Sequence, residues 1–69
     1  MPLATLLAYL QPSSIVYIYR HLDEVRTHTL AFCAVGELTM AQVIPWTVIS
    51  VLPSKDPHSD RGVLEIHVC

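Results

Sequence analysis

The sequence predicts an α+β fold, with a helical N-terminal half over about residues 3–27 and an antiparallel β half over about residues 29–69. Three observations carry this expectation. Ile15, Ile18, Leu22 and Val25 recur at spacings of three and four, the apolar stripe of a helix. Leu64, Ile66 and Val68 alternate with Glu65 and His67, the period of a strand with one buried face. Between them, Val43–Leu52 is rich in Val, Ile, Thr and Trp, residues that favour strands.

Taken in order, Pro2 suits the start of a helix, and Leu3–Leu10 are mostly good helix formers. Pro12 disfavours a helical Gln11 and breaks the run. Ser13 or Ser14 can then cap a second helix carrying the stripe from Ile15 to Val25. The β-branched and aromatic residues of Ile15–Tyr19 also read as a strand. The continuation of the spacing through Leu22 and Val25 favours the helix. Leu30–Val35 is a short apolar run that Gly36 stops. Pro45 confines a following strand to a sheet edge or to a start at Trp46. Residues 53–61, with two prolines, form a polar loop, across which 46–52 and 63–69 can pair as a hairpin. Segment 37–42 is too short for a parallel crossover, which favours antiparallel pairing.

Length and composition set the frame. The chain has 69 residues, 52% hydrophobic and 14% charged, against about 25% charged in an average soluble domain. That is one small domain of marginal stability, because a chain of this size buries only about 60% of its unfolded surface. The apolarity raises a second architecture, one or two membrane-associated helices over about 3–19 and 34–52. Gln11–Ser14 interrupts the first, and Glu37, Gln42 and Pro45 lie in the second. Location at a membrane or in the cytoplasm is therefore open.

Four Lys and Arg against six Asp and Glu leave a net charge of −2 and no basic stripe for a phosphate backbone, so nucleic acid is not an expected partner. Gly is scarce, at two, and Asn is absent, so the turns of this chain lack their commonest residues. With low charge and abundant Leu, Ile and Val, that scarcity suits a young or overprinted reading frame. Two cysteines, Cys33 and Cys69, are too few for a disulfide scaffold and read as free thiols.

Site chemistry is sparse. On a helix, His21, Glu24 and His28 would share one face, and imidazole with carboxylate suits a divalent metal. Their histidines, however, are seven apart, where helical zinc sites use a spacing of four. A second set, His58, His67 and Cys69, shows no fourth ligand. No metal or other cofactor is expected. The two cysteines lack a base and an oxyanion donor nearby, and two glycines cannot build a phosphate loop. Tyr17, Tyr19 and Trp46 are the candidate interaction residues, since such rings favour boundaries that are apolar on one side and wet on the other.

The expected function is that of a small non-enzymatic accessory or regulatory protein, of the kind encoded by viral or non-standard reading frames. It would bind a protein partner or a membrane through its apolar segments. One alternative is a soluble α+β module that oligomerises or docks by sheet-edge pairing. Another is a weak metal-binding module.

Overall fold

A computed structural model describes residues 1–56, 58–59 and 61–69. The elements are α1 (Leu3–Ala8), β1 (Ile15–His21), β2 (Thr27–Ala34), a 3₁₀ turn (Val35–Glu37), α2 (Met40–Val43), β3 (Val48–Lys55) and β4 (Gly62–Val68). The strands form one mixed sheet in the order β2-β1-β4-β3. β1 and β2 make an antiparallel hairpin, as do β3 and β4, and the hairpins join where β1 runs parallel to β4.

This corrects the expected helical N-terminal half. Only Leu3–Ala8 is helical there, and Ile15–His21 is a central strand. The spacing of Ile15, Ile18, Leu22 and Val25 is a coincidence of a strand followed by a turn. Val16 and Ile18 are buried on one side, whereas Leu22 and Val25 are 50% and 89% exposed. Local chemistry decides the matter. Ile15–Tyr19 prefers an extended backbone, and Asp23 builds the turn after it. Its Oδ1 accepts hydrogen bonds from the backbone N–H groups of Val25 (2.9 Å) and Arg26 (2.8 Å), as Asp does in turns. Arg26 Nε donates to the other carboxylate oxygen at 2.6 Å.

The purely antiparallel C-terminal half is also corrected. The β3–β4 hairpin is present, with Val48 opposite Val68 and Lys55 opposite Gly62. β3 runs through Pro53 and Ser54 to Lys55, so the first three residues of the expected polar loop belong to a strand. β2, however, pairs with β1 and not with β3. The parallel β1–β4 seam needs no short crossover, because the return path contains β2, α2 and β3. The pair of membrane helices is likewise overturned: α1 has six residues and α2 four. No helix among the described residues is long and apolar enough to cross a membrane.

Both helices lie on one face of the sheet. Leu3 and Leu7 of α1 and Val43 of α2 cluster with Val16, Ile18, Ile66 and Val68 of the two central strands. Trp46, Val48 and Leu64 close the edge of this core, and the Arg20 guanidinium sits 5.2 Å from the centre of the Trp46 ring, a cation–π contact. The N-terminus is tied to the start of β3. Leu3 N–H donates to the Trp46 carbonyl (3.0 Å), and Val48 N–H donates to that of Met1 (2.7 Å). Gly36 packs against Pro12, where a Cβ would meet the proline ring at 3.2 Å.

Candidate binding face

Alternation along β1 sends Val16 and Ile18 to the helices and Tyr17, Tyr19 and His21 to the opposite side. The register then brings partners to the same side. Phe32 of β2 lies opposite Tyr17, while Glu65 and His67 of β4 lie beside Tyr17 and Tyr19. No described helix covers this second face.

Its side chains form a connected row. The rings of Tyr17 and Tyr19 stack at 4.6 Å with 7° between their planes. Phe32 tilts against Tyr17 at 4.6 Å, and His67 stacks on Tyr19 at 5.2 Å. His67 in turn meets His21, Nδ1 to Nε2, at 2.6 Å. Burial and the hydrogen bond with Tyr17, with the negative charge of Glu65 nearby, raise the Tyr19 hydroxyl above its ordinary pKa. The Tyr19 hydroxyl thus remains neutral at physiological pH.

A cleft of about 500 Å³ opens at the Tyr17 end of this row, within the range typical of ligand sites. Tyr17, Tyr19, Phe32 and Val63 supply its apolar walls, and Lys55, Asp56, His58 and Glu65 line it with polar groups. Val63 is only 7% exposed although it lies on the open face. Lys55, Asp56 and His58 form the adjoining wall of the cleft. Asp56 is fixed in that wall: its carboxylate accepts from His58 N–H (3.0 Å) and Ser59 Oγ–H (2.8 Å). These bonds hold its pKa below the usual carboxylate range. Glu65 is less well served. Its ion-pair partner among the described residues is His67, whose Nε2 lies 3.4 Å from Glu65 Oε1. That nitrogen is buried and makes no hydrogen bond among the described residues.

The structure redistributes the sequence-derived candidates. His21 ends β1 on the open face, Glu24 lies in the β1–β2 turn, and His28 stands opposite Arg20 in β2. The strand thus breaks up the helical face that would have gathered them. His58 lines the cleft, His67 lies within β4, and Cys69 is exposed beyond β4. Among the described residues, no three His, Cys, Asp or Glu side chains are placed to hold a metal ion. His21 and His67, one from each set, do meet. Their 2.6 Å separation is shorter than the ~3.3 Å implied by two nitrogens on one tetrahedral zinc at ~2.0–2.1 Å each.

Tyr17 and Tyr19 belong to the open face, but Trp46 packs on the helical side. The three candidate interaction residues therefore do not share one surface. Phe32, Val63 and Glu65 complete the face and were not singled out from sequence. Reading Ile15–His21 with a period of two would have aligned Tyr17, Tyr19 and His21, and the alternation in β4 already aligned Glu65 with His67. Cys33 and Cys69 are free thiols. Burial, and then the nearby Glu37 charge, push the Cys33 thiol up, which disfavours the nucleophilic thiolate.

Comparison of the chain with protein families, with curated proteins and with solved structures finds no match.

Proposed function

We propose that this chain is a small non-enzymatic binding module and that the open face of its sheet docks a protein partner. The observation that carries the reading is the asymmetry of the sheet. One face is closed by α1 and α2, and the other presents Tyr17, Tyr19, Phe32 and Glu65 around a cleft. Aromatic residues are enriched in protein interfaces, and a patch of this kind on a small domain marks an interaction site. The ring geometry argues against nucleic acid as the partner. Tyr17 stacks on Tyr19, Tyr19 stacks on His67, and Phe32 tilts against Tyr17, so the tyrosine faces that a base would stack on are already occupied.

Photo-crosslinking tests the reading. A benzophenone amino acid replaces Phe32 on the open face or, as a control, Thr5 on α1. The Phe32 position should capture a discrete polypeptide that the Thr5 position does not. Excess native chain should compete for it, and excess Phe32→Asp chain should not. Equal capture at both positions, or equal competition by both chains, would contradict the reading.

The β2 edge favours a second reading, self-association by strand addition. Val35 N–H donates to the Ser14 carbonyl (2.9 Å), and Leu22 N–H to that of Arg26 (3.0 Å). By alternation from these bonds, Thr27, Thr29 and Phe32 turn their backbone groups outward. β2 contains no proline, lysine or carboxylate, the usual devices that protect an edge. The opposite edge is better guarded: Met1 caps Val48, and Pro53 offers no N–H.

A further inference from the structure

We propose that the cleft beside Glu65 receives the guanidinium or ammonium group of an arginine or lysine side chain on the protein partner. The proposal rests on the docking reading above and adds the chemistry of the contact.

Glu65 is the anchor of the argument. Its side chain is 29% exposed and sits beside Tyr17 in the register of the two central strands. A partly buried carboxylate is stabilised by a compensating cation or hydrogen-bond donors. His67 supplies a positive charge only when protonated. A neutral His67 leaves Glu65 as a negative charge at the margin of an aromatic cleft. The fixed carboxylate of Asp56 also lines the cleft. Lys55 also lines the cleft, so among the described residues the lining carries two carboxylates against one ammonium.

The walls match the same guest. Phe32 is 46% exposed and faces the cleft with Tyr17 and Tyr19. The exposed Phe32 ring can attract a cation through its quadrupole, and the alkyl stem of arginine or lysine can lie along apolar surface while its head reaches a carboxylate. A cleft of about 500 Å³ holds such a side chain with part of its backbone. An anionic guest would face Glu65 and Asp56, and a purely apolar guest would remove Glu65 further from water without adding a counter-charge.

The test uses the full chain, isotope-labelled, with two capped peptides: Gly-Arg-Gly and its analogue with citrulline in place of arginine, equal in shape and uncharged. Titration should shift the amide resonances of Tyr17, Val63 and Glu65, with the citrulline peptide binding at least tenfold more weakly. Glu65→Gln, which keeps the shape of the side chain, should abolish that difference. Glu24→Gln, in the exposed β1–β2 turn, should preserve it. An amide spectrum of Glu65→Gln matching the native one away from the cleft establishes that the variant is folded. Equal binding of the two peptides to the native chain overturns the cation claim while leaving the docking reading intact. No shift with millimolar arginine peptide also overturns it, and the crosslinking at Phe32 then decides separately whether the face docks a partner at all.

Discussion

Ile66 and Val25 are both β-branched hydrophobes, yet the fold gives them opposite weight. Ile66 is fully buried in a central strand and Val25 is 89% exposed in a turn. Ile66→Ala should cost about 2–5 kcal/mol, as for other buried aliphatic truncations. Val25→Ala should change stability by no more than about 0.5 kcal/mol. Urea unfolding followed by circular dichroism checks both values. Asp23 makes a different kind of contribution. Hydrogen bonds from Val25, then from the Arg26 side chain and backbone, hold its carboxyl below the ordinary range. A carboxyl depressed in the folded state stabilises above its unfolded pKa, and that contribution is lost as pH falls through the folded value. Protection of the Val25 and Arg26 amides, measured against their intrinsic exchange rates, should therefore fall on acidification below the ordinary carboxylate range. In Asp23→Asn that acid-dependent step should disappear.

At the scale of elements, the legible parts were those where one local signal stood alone. Leu64–Val68 alternates without competition, and it forms β4. Pro2 caps α1, which the leucine-rich run after it forms and which stops before Pro12. Ile15–Val25 carried two signals, a helical spacing and a β-rich composition. The Asp23 turn, a pattern of short range, decides between them. Of the strand partners, only the β3–β4 hairpin was legible, from two strand-like runs flanking a polar segment. The parallel β1–β4 seam joins Val16 to Leu64 across 48 positions, and only the shared core under α1 and α2 specifies it. The candidate site failed for a related reason. His21, Glu24 and His28 converge on a helix and separate on a strand, so an error in one element dissolved the site drawn on it. The edge of β2 makes its own prediction. Thr29 turns its N–H outward, so Thr29→Pro removes an edge donor and no β1 bond. If copies of the chain associate through this edge, sedimentation should show a concentration-dependent dimer that Thr29→Pro abolishes. A dimer unaffected by Thr29→Pro would place the contact elsewhere.

For the whole molecule, the high apolar fraction is divided between two sides of one sheet. Leu3, Leu7, Val16, Ile18, Val43, Ile66 and Val68 fill the helical side, while Tyr17, Tyr19, Phe32 and Val63 surround the cleft on the other. The composition that suggested a membrane thus supplies a small core and an aromatic face. A core this small leaves little stability in reserve, since a domain of this size has only roughly 0.05–0.15 kcal/mol per residue. A partner that covered the open face would add to it by mass action. The central claim is that Tyr17, Tyr19 and Phe32 lie across the sheet from the helices. Proton–proton contacts by nuclear magnetic resonance test it most directly. The account predicts cross-strand contacts between Val16 and Leu64, and ring contacts of Tyr17 with Phe32 but none with the Leu3 or Leu7 methyls. Helical contact patterns over residues 15–25, or Tyr17 and Phe32 rings packed against Leu3 and Leu7, would contradict it.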